Sequence, residues 1–199
     1  MPKSKRRSKV KARAKSRARP KARTKRKARA GFSPIPAGFR TVTPYLAIDG
    51  AARALEFYKN AFGAKELARQ ATPDGRIVHA RIRIGDCLVM MSDIFPGAMT
   101  KSPLELGTSP VTLHVYTNDV DGMWNRAVSA GARVVMPLDN KYWGERYGQL
   151  VDPFGHHWSL SMRVKMSKEE MDVKEKQAMA MFSQNQHAQT QGDQQTMQQ

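Results

Sequence analysis

Residues 43–64 read TPYLAIDGAARALEFYKNAFGA, and the fold can be worked out from this stretch. Residues 41–48, TVTPYLAI, have alternating side chains and are rich in β-branched and aromatic residues, which predicts a strand. Five apolar residues then recur at helical spacing: Ala54, Leu55, Tyr58, Ala61 and Phe62. Gly63 is a helix stop, so the opening unit is a strand followed at once by a helix.

The same order of elements returns in residues 112–132, TLHVYTNDVDGMWNRAVSAGA. Thr43 aligns with Thr112 and Gly63 with Gly131, at offsets of 69 and 68 residues. Either Asn118 or Asp119 can cap the second helix. Further strands are predicted at GRIVHARIRIG and CLVMMSD, and at RVVMPLD, YGQLVD and HHWSLSM. We therefore predict an α+β fold with a βαβββ unit in each of two modules, about 40–95 and 110–163.

These segments, together with IGDCLVMMSD and WGERYGQLVDPFGHHWSL, resemble the vicinal oxygen chelate superfamily. That superfamily includes glyoxalase I, fosfomycin-resistance proteins, extradiol dioxygenases and bleomycin-resistance proteins, and the chain looks most like its PhnB-like branch. The resemblance covers about residues 40–182. It implies a curled mixed sheet around a concave cavity that binds a small molecule, in a homodimer. Any enzyme activity it implies is that of a lyase, isomerase or transferase of glyoxalase type.

The resemblance also locates the metal ligands of metal-using relatives. The resemblance implies that such relatives carry His or Glu at positions that are occupied in this chain by Thr43, Thr112 and Ser159. None of these is a normal ligand for a divalent ion, so no metal or other cofactor is predicted. One alternative stays open, in which His79, His114 and His157 face the cavity together and form a three-histidine site.

Because side chains alternate along a strand, the residues on one face of each strand are predicted to line the cavity. His156 and His157 are consecutive, so they point to opposite faces, with His156 in a turn and His157 toward the cavity. If there is turnover, His114 and His157 are the catalytic candidates, because imidazole can act as a general acid or base near neutral pH. The predicted ligand-binding residues are Tyr45, His79, Tyr116, Trp143 and Arg146.

The motif WGERYG, residues 143–148, has two interpretations. It could be a structural turn, in which Gly144 and Gly148 allow unusual backbone angles and Arg146 pairs with an acid such as Asp152. It could instead be a rim that stacks on a ligand and pairs with its charge. Cys87 is predicted to be a small buried residue.

The charge of the chain is concentrated at its start. Residues 1–31 hold 16 of the 34 Lys and Arg and none of the 17 Asp and Glu, which leaves 18 basic against 17 acidic residues elsewhere. Such a segment is predicted to be disordered alone. The predicted organisation is a tail (1–31), a Pro/Gly linker (32–39), the domain (40–163), a C-terminal helix (164–183) that starts at a SKEE capping box, and a disordered Gln-rich tail (184–199).

The basic tail supports a second functional hypothesis. Its composition is similar to that of histone H1-like tails, and it should bind polyanions through counterion release, with little base specificity. The chain would then be a nucleic-acid-associated protein whose domain serves as a dimerisation scaffold; the alternative is a solvated arm that binds nucleic acid adventitiously. The predicted contact residues are Lys5, Arg6, Arg7, Lys9, Lys11, Arg13, Lys15, Arg17, Arg19, Lys21, Arg23, Lys25, Arg26, Lys27 and Arg29.

The remaining features bear on localisation. The single cysteine fits a reducing compartment, and the sequence has neither a secretory signal nor an apolar run long enough for a membrane span. We expect a cytoplasmic protein, which would be nucleoid-associated if the tail binds DNA.

Overall fold

The computed structural model describes the backbone of residues 33–196 and the side chains of 33–181 and Ser183. The basic tail (1–31) and the side chains of the Gln-rich segment (184–199) therefore lie outside the described residues. The elements are β1 (Tyr45–Ile48), α1 (Ala51–Phe62), β2 (Lys65–Ala71), β3 (Ile77–Ile84), β4 (Cys87–Asp93), α2 (Pro103–Leu106), β5 (Thr112–Tyr116), α3 (Val120–Ser129), β6 (Arg133–Lys141), β7 (Glu145–Val151), β8 (His157–Arg163) and α4 (Lys168–Thr196).

The strands form two four-stranded mixed sheets of identical topology. Sheet A has the order β1-β4-β3-β2, and sheet B has the order β5-β8-β7-β6. In each sheet the first strand pairs in parallel with the last, and the other pairs are antiparallel. The predicted duplication of a βαβββ unit is confirmed. Strand β2 and the short helix α2 were not located from the sequence.

The helix ends follow the expected capping chemistry. Asp119 caps α3, where its Oδ1 accepts a 2.9 Å hydrogen bond from the Gly122 amide. The capping box before α4 is present: Ser167 Oγ accepts from the Glu170 amide (3.1 Å), and Glu170 Oε2 accepts from the Ser167 amide (2.8 Å). Helix α4 then reaches Thr196, well beyond its predicted end at residue 183.

The start of α1 is capped from another element. Gly50, the residue before the helix, has no side chain, and Asp93 at the end of β4 supplies the acceptor. Its Oδ1 accepts from the amides of Gly50 (3.0 Å) and Ala51 (2.8 Å), and its Oδ2 accepts from the Ile77 amide (2.5 Å). One buried carboxylate thus joins α1, β3 and β4.

Both sheets contribute to one hydrophobic core. The helix-facing sides of sheet A and sheet B pack around α1 and α3, which also contact each other. Within this core the Phe62 and Trp158 ring centroids lie 4.6 Å apart, so α1 of the first module packs against β8 of the second. The sheet faces opposite these helices are called the open faces below.

The exposure of Cys87 corrects the sequence prediction of a buried thiol. Cys87 pairs with Ile84 directly after the Gly85–Asp86 turn, at the end of a hairpin. Leu88 and Val89, the next two residues, are buried instead. None of the helices in the described part of the chain is long and apolar enough to span a membrane.

Asp152 is a second buried carboxylate, and it joins the two modules. Its Oδ2 accepts 2.8 Å hydrogen bonds from Tyr58 Oη and Trp158 Nε1, and its Oδ1 accepts from the amides of Phe154 and His156 at 2.9 Å. Burial, followed by the nearby carboxylate, raises the pKa of Tyr58 well above its usual value. Tyr58 therefore remains a protonated donor toward Asp152.

Replacing Tyr58 with Phe tests this link between the modules. Loss of the hydroxyl removes one donor from a buried carboxylate, so Tyr58→Phe should lower the free energy of unfolding by about 1–3 kcal/mol. Urea denaturation measures the loss. Tyr45→Phe, which changes a half-exposed ring, is the matched control and should stay within about 0.5 kcal/mol of the parent. Equal stability of the two variants would contradict the role of Asp152.

Candidate functional site

The open face of sheet B gathers polar and aromatic side chains from three adjacent strands. Two cross-strand rows define it in the register of the sheet: His114–Ser159–Gln149 and Tyr116–Ser161–Tyr147. Because side chains alternate along a strand, Val115 and Leu160, in the row between these two, point toward the helices. Glu145, at the start of β7, lies on the same open face as Tyr147.

Glu145 is the centre of this face. Its Oε1 accepts a 2.7 Å hydrogen bond from Tyr116 Oη, and its Oε2 accepts from Ser161 Oγ (2.9 Å) and Trp143 Nε1 (3.1 Å). Partial burial works against ionisation, but the hydrogen bonds from Tyr116, Ser161 and Trp143 outweigh it and lower the pKa of Glu145 below its usual value. The carboxylate is therefore charged at neutral pH.

Aromatic rings surround this carboxylate. The His114 and Tyr116 centroids are 4.5 Å apart at 74°, and those of Trp143 and Tyr147 are 5.5 Å apart at 74°. The Nδ1 of His114 lies 2.7 Å from Ser159 Oγ, which fixes the imidazole. Tyr116 is 63% exposed and Trp143 45% exposed, so both rings are accessible. We call these residues the Glu145 cluster: His114, Tyr116, Trp143, Glu145, Tyr147, Ser159 and Ser161.

The structure divides the predicted site residues between the two sheets. Tyr45 and His79 meet on the open face of sheet A, with ring centroids 5.9 Å apart. His114, Tyr116 and Trp143 belong to the Glu145 cluster on sheet B. His157 lies on sheet B opposite Thr112, while buried His156 donates its amide to Asp152. Burial lowers the pKa of His156.

The two glycines and the arginine of the WGERYG motif have structural roles. Gly144 has a φ of +82°, and a Cβ on Gly148 would lie 2.5 Å from the Trp124 ring, so both glycines have structural roles. Arg146 points toward the helices, where its Nε and Nη2 donate to Asp121 at 2.6–3.0 Å. Arg146 thus pairs with an acid, as the turn interpretation expects, but the acid is Asp121 and not Asp152. Trp143 and Glu145 face the other way, into the cluster.

The residues at the metal-ligand positions do not fit a divalent ion. Thr43 Oγ1 donates to the Arg40 carbonyl (3.0 Å), and Ser159 Oγ is bonded to His114. These positions carry hydroxyl groups, whereas divalent transition-metal ions in proteins prefer imidazole, carboxylate or thiolate ligands. In the structure the three histidines of the alternative site are divided: His79 lies on sheet A, and His114 and His157 lie on sheet B. Among the side chains that the structure places, no three His, Cys, Asp or Glu residues come together as an ion site.

From the sequence, Glu145 and Tyr147 stand out only as members of the WGERYG motif, and Ser161 is not predicted to be a site residue. A usable signal was present, because residues 143, 145 and 147 alternate, as do 159 and 161 in the neighbouring strand. What the pattern could not show was that the two strands pair with Tyr147 opposite Ser161. That register brings the hydroxyl of Ser161 to Glu145.

Comparisons with known proteins agree with this architecture. Residues 40–160 match the sequence model of the Glyoxalase/Bleomycin resistance protein/Dioxygenase superfamily. Protein Rv0887c of Mycobacterium tuberculosis is 46% identical over 146 residues, which cover 72% of this chain and 83% of that protein. TioX from Micromonospora sp. is 29% identical with a TM-score of 0.50, over 64% of this chain and all of TioX. The PhnB protein from Bacillus cereus shares the fold at 19% identity and a TM-score of 0.50, over 62% of this chain and 99% of its own.

Replacing Tyr116 with Phe tests the hydrogen bonding of Glu145. Loss of the phenol donor should move the pKa of Glu145 up toward its ordinary value, because a bond to the charged form is removed. Carboxyl ¹³C NMR between about pH 2 and 6 measures the titration. Tyr147→Phe is the matched control, since the Tyr147 hydroxyl accepts from Gln149 instead. An unchanged titration in Tyr116→Phe, or an equal change in the control, would contradict the assignment.

Proposed function

The chain belongs to the Glyoxalase/Bleomycin resistance protein/Dioxygenase superfamily, and we propose that it binds a small organic molecule at the Glu145 cluster without a divalent metal. The observation that carries this proposal is a charged, hydrogen-bonded carboxylate set among accessible aromatic rings. Exposed aromatic surface beside a fixed polar group is typical of a site that stacks on a ligand and orients it. The superfamily's resistance and glyoxalase-like members agree with a small-molecule ligand.

The charge of the cluster indicates which ligands would bind best. A ring-bearing amine could stack on Tyr116 or Trp143 while its ammonium group lies near Glu145, and aromatic faces also attract cations. Arg163 stands opposite Glu145 in the register of β7 and β8. It is exposed, so its positive charge is largely solvated and offsets the carboxylate only in part.

An enzymatic version of this function would use His114. Its imidazole is held by Ser159 and lies against Tyr116 and Tyr147, so a bound ligand would meet a positioned general acid–base group. His157 is the second candidate, and it lies two residues before Ser159 on β8. Turnover would belong to the lyase, isomerase or transferase type that the resemblance implies.

Binding can be measured with three probes that share one ring. The full ¹⁵N-labelled chain is titrated with phenethylamine, phenethyl alcohol and phenylacetate, and the indole N–H signal of Trp143 serves as a local reporter. We expect a saturable shift with the amine, weaker binding of the alcohol, and the weakest binding of the acid. Glu145→Gln should reduce affinity for the amine about tenfold, since a charge-assisted contact is lost.

Control variants distinguish binding at the Glu145 cluster from general effects of a substitution. Glu56→Gln, on the exposed face of α1, should leave all three affinities unchanged. Tyr116→Ala should weaken the amine and the alcohol alike, because it removes stacking rather than charge. If no probe moves the Trp143 signal, or if Tyr116→Ala and Glu145→Gln bind as the parent does, the proposed site is wrong.

A second function is favoured by the charge distribution. The tail, residues 1–31, carries 16 positive charges without an acid, which supports non-specific binding of nucleic acid with steep salt dependence. In the homodimer implied by the resemblance, two tails would raise the apparent affinity through effective concentration.

Deleting residues 1–31 tests whether the tail binds nucleic acid. The shortened protein should lose retention on double-stranded DNA at low salt, while the parent is released as salt rises. A variant with Gln at the 16 basic positions keeps the length of the tail and should behave like the deletion. Unchanged retention of either protein would refute this second function.

A further inference from the structure

The open face of sheet A carries basic side chains that the Glu145 cluster does not use. On β3, Arg81 and Arg83 alternate with the buried residues Ala80, Ile82 and Ile84. Lys65 of β2 stands opposite Arg83 in the sheet register, so its side chain shares this face. Within the described residues, no carboxylate lies within 4.0 Å of the charged nitrogens of these three side chains.

Arg81 is the most constrained member of the group. Its Cζ lies 5.3 Å from the centroid of the Phe39 ring, so the residues before β1 cover the guanidinium. Its Nε is buried and has no hydrogen-bond partner among the described residues. A buried donor without a partner is destabilising, and more so when it is charged. Such a donor needs an explanation, and a bound acceptor would supply one.

A cavity adjoins these arginines. It has a volume of about 440 Å³ and is lined by Gly38, Leu67, Arg81, Arg83, Asp86 and Leu88. Asp86 is the one acid in this lining, and it already accepts a 3.2 Å hydrogen bond from Arg40 and is 83% exposed. The two arginines therefore leave the cavity with a surplus of positive charge beside an apolar wall of Leu67 and Leu88.

We propose that this cavity binds the oxyanion group, carboxylate or phosphoryl, of a small organic molecule, with Arg81 and Arg83 as the donors. Guanidinium groups recognise oxyanions through paired, charge-assisted hydrogen bonds. Phe39 holds Arg81 in place before the ligand arrives, which lowers the entropy cost of binding. The site lies on the other sheet from the Glu145 cluster, and it does not depend on the function proposed there.

The test needs a local signal, because the basic tail also attracts anions. The full ¹⁵N-labelled chain is titrated with inorganic phosphate and, separately, with succinate, at constant ionic strength. The side-chain Nε–H resonance of Arg81, identified by its loss in Arg81→Lys, is the readout. We expect a saturable shift with at least one anion, and a preference between the two will distinguish a phosphoryl from a carboxylate ligand.

Variants decide whether the arginines form the site. In Arg83→Gln the affinity read at Arg81 Nε should fall about tenfold, because one charged donor is lost. Arg133→Gln, which removes an exposed arginine of sheet B, is the matched control and should leave the affinity unchanged. A shift that stays linear with anion concentration would overturn the proposal, as would an affinity that is equal in Arg83→Gln and the parent. Either result is independent of phenethylamine binding at Trp143.

Discussion

The buried carboxylate of Asp152 is the interaction on which the arrangement of the two modules depends. It accepts from Tyr58 of α1 and from Trp158 of β8, so one residue bonds the first module's helix to the second module's last strand. Its other oxygen closes the turn before β8 through two backbone amides. A buried carboxylate must be fully hydrogen-bonded to be tolerated, so moving any of these donors would disturb all of them. The position of β8, and with it Ser159 and Ser161, follows from this turn.

The Glu145 cluster in turn depends on strand register. A slip of one residue between β7 and β8 would turn Glu145 and Tyr147 toward the helices and bring Arg146 to the open face. Two contacts on the helix side oppose that slip. Gly148 admits the Trp124 ring at a place where any Cβ would clash, and Arg146 is paired with Asp121. Ser159, which the resemblance aligns with a metal-ligand position, bonds His114 and so anchors an imidazole.

Much of this fold could be predicted from sequence, because local chemistry specifies it. The helix periods, the cap at Asp119, the capping box at Ser167 and the doubled order of elements are short-range patterns. Strand β2, with the sequence KELARQA, was not located because a polar edge strand lacks an alternating apolar signal. The partners of Glu145 and Arg146 could not be predicted either. Apart from Trp143, each lies in another element, and alternation assigns a face without identifying the neighbour.

The duplication puts equivalent positions of the two sheets to different chemical uses. The row Tyr45–Met90–Arg81 in sheet A corresponds to His114–Ser159–Gln149 in sheet B, at offsets of 69, 69 and 68 residues and with the same pairing. In sheet B the row is hydrogen-bonded and lies beside an acid. In sheet A it ends in an arginine that has no acid partner within the described residues. The backbone scaffold is shared, so under the two proposals a few side chains at repeated positions determine whether a sheet attracts a cation or an anion.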